Sequence, residues 1–134
     1  MTVYVDSSLL LTVYFGEPAS ARCEGILLDD PAWVTARHTT AEVRRNLARA
    51  LAGPELAAAR LQFERDWSAM AVVELTAEVV EAAVDLAELS GARTLDALHL
   101  GAAQVVGGGG LAFATCDQRQ AAAARSLGWV VLGS

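Results

Sequence analysis

Four acidic residues stand where the sequence predicts that a strand or a loop leads into a helix: Asp6, Glu42, Asp96 and Asp117. The chain contains no lysine, so no ammonium group can neutralise them. Two carboxylates ~4 Å apart repel one another by several kcal/mol at an effective dielectric of about 20. A cluster of acids is stable when it shares a proton or holds a cation, and a cation held by carboxylates favours phosphodiester chemistry.

The ligand type indicates which cation would bind. Mg²⁺ and Mn²⁺ are hard ions that prefer oxygen ligands and keep several waters, so one or two carboxylates would bind directly and the others through water. Zinc is disfavoured because the sequence has no Cys/His cluster with the spacing of a zinc site.

Each of these acids also has a local structural explanation. Asp6, Asp96 and Asp117 lie where a negative charge stabilises a helix N-terminus by a few tenths to ~1 kcal/mol. The segment from Thr39 to Glu42 has the spacing of a capping box, in which the glutamate bonds back to the Thr39 amide. Taken singly, these explanations remain open. The presence of all four acids at such junctions favours a shared site.

Strands alternate with helices along the chain, which predicts a mostly parallel, roughly five-stranded α/β sheet with helices on both faces. In such a sheet, ligands bind beyond the carboxyl ends of the strands. Glycines 107–110 read as a turn. The predicted strands are 2–5, 33–36, 71–75, 111–114 and 129–132, and the predicted helices are 9–15, 19–28, 39–52, 55–68, 76–89, 94–106 and 118–127.

Length and composition predict one domain spanning residues 1–134, with 54% apolar residues. No segment reads as a membrane span or a secretory signal, so we expect a cytoplasmic protein that does not bind membranes. Cys23 and Cys116 lie far apart in sequence and are expected to be reduced, with a disulfide disfavoured and Cys116 a buried, inert thiol.

A net charge of −6 argues against a protein that coats nucleic acid through general electrostatic attraction. It does not exclude a local basic patch. Such a patch surrounds Glu42, where either a phosphate-binding surface or a solvated helix face fits the pattern. Arg93, just before Asp96, could also contact phosphate or pair with an acid. The patch consists of Arg37, Arg44, Arg45 and Arg49.

Both histidines lie close to these acids in sequence. His99 follows Asp96 by three residues, so a helix places both on one side. It could contact a metal or a phosphate, but a partly buried histidine packed beneath the site is the favoured interpretation. His38 precedes the predicted capping box and is expected to be a surface or capping residue.

Four segments together resemble the PIN-domain ribonucleases and, within them, the VapC-type toxins of bacterial toxin–antitoxin pairs. The third segment, taken in order with the others, is quite specific, and the likeness runs nearly the whole chain. The segments are Val3-Tyr4-Val5-Asp6-Ser7-Ser8-Leu9-Leu10, Thr39-Thr40-Ala41-Glu42-Val43, Arg93-Thr94-Leu95-Asp96-Ala97-Leu98-His99-Leu100-Gly101-Ala102-Ala103 and Phe113-Ala114-Thr115-Cys116-Asp117.

The resemblance implies a PIN-like three-layer α/β/α sandwich whose four acids are catalytic and surround Mg²⁺ or Mn²⁺. Asp6, Asp96 and Asp117 would be metal ligands. Glu42 would orient or deprotonate the attacking water. The resemblance also marks Ser7 and Thr115 as supporting polar residues.

The same resemblance implies an endoribonuclease that cleaves single-stranded or loop RNA in tRNA or rRNA, a cognate VapB-type antitoxin and a homodimer. A non-catalytic α/β module that binds RNA or protein is the alternative. A phosphoacceptor receiver domain is disfavoured because the chain has no lysine, and a dehalogenase-like phosphatase because Ser8 stands where a second aspartate is needed.

Overall fold

Five short parallel strands form the centre of the molecule. The structure, a computed structural model, describes residues 2–107 and 110–134. The strands lie in the order β3-β2-β1-β4-β5, which confirms the predicted parallel five-stranded sheet. They are β1 (Val3–Val5), β2 (Trp33–Ala36), β3 (Ala71–Val73), β4 (Ala112–Ala114) and β5 (Val130–Leu132).

Seven helices are present in the described part of the chain, and each corresponds to a predicted one. They are α1 (Ser7–Phe15), α2 (Ser20–Asp29), α3 (Thr39–Ala50), α4 (Gly53–Ala69), α5 (Ala77–Ser90), α6 (Thr94–Val106) and α7 (Gln118–Ser126). Thr76 and Gly91 bound α5, as the sequence predicts. The Thr76 hydroxyl accepts a hydrogen bond from the Val79 amide, and Gly91 adopts a left-handed conformation.

One helix boundary differs from the prediction. Gly53 and Pro54 were expected to end α3 and to precede a helix at residue 55. Instead α3 ends at Ala50, and Gly53 and Pro54 form the first turn of α4. Proline is tolerated there because the first-turn amides have no partner within the helix.

The predicted turn at residues 107–110 falls partly within the described residues. The Gly110 amide donates to the Gly107 carbonyl at 3.0 Å, as in a tight turn. Gly108 and Gly109 lie outside the described residues.

The alternation of side chains along the strands builds one apolar layer on each side of the sheet. Val3 and Val5 pack on one face with residues of α1 to α4, such as Leu47. Tyr4 and Phe113 pack on the other with residues of α5 to α7. Helices on both faces give the predicted three-layer α/β/α sandwich. Among the described residues, no helix combines the length and apolar character needed to cross a membrane.

The strand order reverses at β1, which lies between β2 and β4. From β1 the chain first adds β2 and β3 on one side and later β4 and β5 on the other. Where the strand order reverses in this way, α/β sheets bind ligands in the crevice beyond the carboxyl ends of the strands. Asp6 immediately follows β1, and Asp117 follows β4 by three residues. The topology therefore directs both acids to one edge.

We expect Gly101→Ala to lower the free energy of unfolding by about 2–3 kcal/mol, because overpacking forces backbone shifts. A Cβ atom at Gly101 of α6 would lie 2.6 Å from the Val79 carbonyl oxygen and 2.8 Å from the Ala83 nitrogen of α5. Gly25→Ala in α2 is the matched control, because nothing lies within 4 Å of its Cβ position. It should raise stability by roughly 0.5–1 kcal/mol. Equal denaturation midpoints for Gly101→Ala and the unmodified protein would contradict the close α5–α6 contact.

Candidate active site

Asp6 is held at the end of β1 by its backbone and by two hydroxyl groups. Its amide donates to the Ala114 carbonyl at 2.9 Å, which extends the pairing of β1 with β4. The side chain is buried, and its Oδ2 accepts hydrogen bonds from Ser8 Oγ and Thr115 Oγ1, both at 2.7 Å. Although Asp6 occupies the N-cap position of α1, its carboxylate makes no capping bond there among the described residues. Helix capping therefore does not explain this acid.

Glu42 faces the same edge from the first turn of α3. Its Oε1 accepts from Ser7 Oγ at 3.2 Å and lies 2.6 Å from His99 Nε2. The predicted capping box is wrong: α3 begins at Thr39 with no side-chain cap among the described residues, and the Thr39 hydroxyl lies 2.7 Å from that of Thr35. The carboxylate turns towards the sheet edge because hydroxyl and imidazole partners lie there.

His99 joins this cluster from beneath and is fully buried. Its Nε2 lies 3.4 Å from Asp6 Oδ1 in addition to its contact with Glu42, and its Nδ1 lies 2.7 Å from the Tyr4 hydroxyl. Burial lowers the pKa of His99, but the charge of Asp6 and the hydrogen bond and charge of Glu42 outweigh burial, so the pKa is raised. His99 therefore favours the imidazolium form, which supplies a positive charge to the acids.

The pKa of Glu42 responds to the same contact. Burial raises it, but the hydrogen bond and charge of His99 outweigh burial, and the pKa lies below its usual value. Glu42 is thus ionised at neutral pH.

The ionised form of Asp96 is destabilised by its surroundings. It lies in the first turn of α6, where burial, followed by the charges of Asp6 and Asp117, raises its pKa to about 6. The Asp96 carboxyl group therefore lies within electrostatic reach of the other three acids, since Glu42 acts in the same direction. The structure brings all four predicted acids to one edge.

Asp117 has the capping role that its position predicts. Its Oδ1 accepts from the amides of Arg119 and Gln120, at 2.8 and 3.1 Å, at the start of α7. The Gln120 side chain then donates to the Asp96 backbone carbonyl at 2.9 Å, which ties the starts of α6 and α7 together. Asp117 can thus cap α7 and belong to the acidic cluster at the same time.

A cleft of about 410 Å³ opens beside Asp96, and Arg93, Arg119 and Gln120 line it. Arg119 was missed by the sequence analysis, although it follows Asp117 by only two residues. Arg44, Arg45 and Arg49 are exposed on α3.

Arg37 has a local partner instead. Its guanidinium lies 2.6 Å from Glu74 and 5.7 Å from the Trp67 ring centroid, so it is held in an ion pair and a cation–π contact. The predicted basic patch thus contains one arginine that is already paired.

Three more residues near the acids were missed or misplaced. Ser8 and Tyr4 gave no chemical signal in the sequence, although their positions beside Asp6 could have suggested them. His38 was expected to be a surface or capping residue. It does occupy the N-cap position of α3, but its side chain is only 9% exposed, and its ring lies 4.1 Å from that of His99. Burial, then the charge of His99, lowers the pKa of His38 to about 4.

A second donor set overlaps the acids. Ligand atoms of His38, Glu42 and His99 all lie within 4.8 Å of one another. A metal ligand must be a neutral imidazole, whereas the raised pKa of His99 and its 2.6 Å bond to Glu42 favour a protonated ring. The carboxylates are therefore the better candidates for a cation.

The model of the family described as "PIN domain" matches residues 3–126, which include all four acids. The chain belongs to the PIN domain family.

A curated relative of this PIN domain is Ribonuclease VapC45 of Mycobacterium tuberculosis. The two are 35% identical over 131 residues, which are 94% of this chain and 91% of the relative. Two solved structures share the fold. A toxin–antitoxin complex from Klebsiella pneumoniae matches with a TM-score of 0.69, 16% identity and 88% of both chains. Mycobacterium tuberculosis VapC20, described as a sarcin–ricin loop cleaving toxin, matches with a TM-score of 0.69, 20% identity, and 90% of this chain and 94% of that one.

We expect Asp96→Asn to stabilise the metal-free PIN domain at pH 8. The folded protein raises the pKa of Asp96 to about 6, above the ~3.9 of an unfolded chain, so the ionised group opposes folding above pH 6. Discounted for its partial exposure, removing this charge should add ~1 kcal/mol and raise Tm by about 3 °C.

The gain should shrink as the pH falls from 6 towards 4, where Asp96 is protonated in the folded protein and about half protonated in the unfolded chain, which has a pKa of ~3.9. Thermal unfolding in EDTA between pH 4 and 8 measures it, with Asp85→Asn on the exposed face of α5 as the control. A lower Tm for Asp96→Asn than for the control at pH 8 would show that Asp96 is not electrostatically strained.

Proposed function

We propose that this PIN domain, acting as one unit over residues 1–134, is a metal-dependent endoribonuclease and the toxin of a toxin–antitoxin pair. One observation carries the proposal: four carboxylates meet at the sheet edge, and the pKa of one of them, Asp96, is raised by burial and by the charges of the others. The curated relative that shares 35% identity is named a ribonuclease, which supports the same reaction.

Asp6, Asp96 and Asp117 are the proposed ligands of Mg²⁺ or Mn²⁺. They offer oxygen atoms and an excess of negative charge, which suits a hard divalent cation. Thr115 and Ser8 hold Asp6 Oδ2 from the protein side. A divalent ion bound here would stabilise the negative charge that develops on the phosphate during cleavage.

Glu42 is the residue proposed to orient or deprotonate the attacking water. It is ionised at neutral pH, so it can accept a hydrogen bond from that water. Ser7 and His99 fix its Oε1, and Tyr4 fixes the far side of the His99 ring. In this arrangement His99 positions Glu42 and Asp6 and does not need to touch the RNA.

The RNA would approach across exposed arginines. Arg44, Arg45 and Arg49 lie on α3 beside Glu42, and Arg93 and Arg119 line the cleft beside Asp96. Because the chain is acidic overall, phosphate binding depends on such local patches. Arg37 contributes less to this surface because Glu74 pairs with it. Single-stranded or loop RNA, within tRNA or rRNA, is the proposed substrate class.

The proposed partners are a VapB-type antitoxin and a second copy of the chain. The complex from Klebsiella pneumoniae, which shares this fold, is described as a toxin–antitoxin pair. Val80 and Val84 of α5 are 42% and 51% exposed and line an apolar groove against α6. Such a groove is a surface that a second copy would cover.

Cleavage of RNA tests this function. The unmodified protein should cleave total cellular RNA at mapped positions in Mg²⁺ or Mn²⁺ and lose that activity in EDTA. Asp6→Asn and Glu42→Gln should each lower the rate by about 10²–10³-fold, since each removes a group that stabilises or prepares the reaction.

Asp85→Asn is the control, because it makes the same chemical change on an exposed helix face. If Asp6→Asn cleaved RNA as fast as this control, the proposed active site would be wrong. RNA binding without cleavage by the unmodified protein would instead favour a non-catalytic module.

A further inference from the structure

Two thiols that are far apart in sequence meet beside the candidate active site. Cys23 lies in α2 and is fully buried, and Cys116 lies between β4 and Asp117 with its side chain partly exposed. Their Sγ atoms are 2.8 Å apart, although 93 residues separate them along the chain. Both cysteines are free, which agrees with the prediction of reduced thiols, whereas Cys116 is only partly buried and not the buried thiol that was predicted.

The separation is close to bonding distance. A disulfide has an S–S bond of about 2.05 Å, so the two sulfur atoms need to approach by only ~0.8 Å. Cys23 packs in the apolar layer formed by α1 to α4, and Cys116 packs against that same layer. The fold therefore brings the two sulfur atoms together.

The backbone of Cys116 belongs to the hydrogen bonds that hold Asp6. The Cys116 amide donates to Ser8 Oγ at 3.0 Å, and the Asp117 amide donates to Thr115 Oγ1 at 3.1 Å. These two hydroxyls are the ones that donate to Asp6 Oδ2. A displacement of Cys116 towards α2 would consequently move the groups that orient Asp6 and Asp117.

We propose that Cys23 and Cys116 form a reversible disulfide that lowers divalent-metal binding and RNA cleavage at the acidic site. The regulatory part of this inference rests on the proposed function, whereas formation of the bond does not. Disulfides that regulate a protein in a reducing compartment are transient in this way.

A peroxide is the oxidant class that balances the reaction. Cys116, the accessible thiol, attacks one peroxide oxygen, which gives a sulfenic acid and releases water from hydrogen peroxide. Cys23 sulfur then attacks the Cys116 sulfur, and the departing hydroxide takes the Cys23 proton to form a second water. In total, two thiols lose two electrons and two protons, and hydrogen peroxide becomes two waters.

The environment of Cys23 suits the thiol that reacts in the second step. Burial, followed by its hydrogen bond to Cys116, raises the pKa of Cys23 to about 12. It therefore remains an unreactive thiol towards solvent until a modified Cys116 lies against it. A dithiol such as dithiothreitol reverses the reaction by exchange and is itself oxidised to a disulfide.

The experiment treats the metal-free protein with hydrogen peroxide, removes the oxidant, and then makes six measurements. Intact mass and free-thiol titration detect the bond, non-reducing electrophoresis distinguishes intramolecular from intermolecular linkage, and thermal unfolding reports the cross-link. Mn²⁺ titration and RNA cleavage report the site. Cys23→Ala and Cys116→Ser are treated identically.

The proposal predicts loss of two hydrogen atoms within one chain and a rise in Tm of roughly 5–15 °C, because the bond closes a long loop. Mn²⁺ affinity and cleavage rate should each fall by about 10–100-fold, as when the groups that orient a ligand are disturbed. Dithiothreitol should restore both. Each single variant should keep its Mn²⁺ affinity and its activity after the same treatment.

Three results would overturn the proposal. One is the absence of an intramolecular disulfide in the oxidised protein. Another is a disulfide that leaves Mn²⁺ affinity and cleavage unchanged. The third is equal loss of Mn²⁺ affinity in Cys23→Ala, which would place the effect on Cys116 oxidation alone. Mass, thiol content and Tm decide on the bond even in a protein without nuclease activity, so failure of the proposed function is distinguishable.

Discussion

Burial of the Asp6 carboxylate at the end of the central strand is the constraint on which the site depends. An ionised carboxylate is costly to remove from water unless hydrogen bonds and opposite charge compensate. Ser8 and Thr115 each supply a hydroxyl, and His99 Nε2 lies 3.4 Å away in a ring whose pKa Asp6 and Glu42 raise against the effect of burial. Residues of α1, α6 and the loop after β4 therefore surround one acid. Asp96 and Asp117 take their positions from α6 and this loop, and Glu42 takes its position from α3.

The His99 imidazole divides the acids into two electrostatic types. Glu42 lies against His99, whose hydrogen bond and charge outweigh burial and lower the Glu42 pKa, whereas burial and then the charges of Asp6 and Asp117 raise the pKa of Asp96 to about 6. Groups whose environments push their pKa values apart are typical of sites that separate proton transfer from charge binding. Glu42 is thus kept as a carboxylate, which can accept a hydrogen bond from the attacking water and orient it. Asp96 is suited to a cation, which would remove the repulsion that it experiences.

The sequence predicted what depends on local pattern and strand topology. The four acids could be placed at one edge because each follows a strand or opens a helix, and the parallel order of the sheet brings such positions together. Glu42 shows the limit, since its capping-box spacing is real but its carboxylate bonds to Ser7 and His99 instead. The direction of the Glu42 side chain depends on groups that are remote in sequence.

The same limit explains the features that were missed. Tyr4 lies 95 residues from His99, and Cys23 lies 93 residues from Cys116, so no local pattern could pair them. His38 was taken for a surface or capping residue because it precedes a helix, but packing against His99 buries its ring. Strand alternation does place Tyr4 on the α6 side of the sheet, and that was the one available signal.

Calorimetric titration of the metal-free protein with Mn²⁺ tests most directly whether these carboxylates form a cation site. We expect saturable binding to the unmodified protein, with protons released near pH 6 as the ion displaces them from Asp96. Asp6→Asn should bind at least about tenfold more weakly. Equal affinity of Asp6→Asn and the unmodified protein, or no binding by either, would contradict the claim that the acid cluster exists to hold a cation.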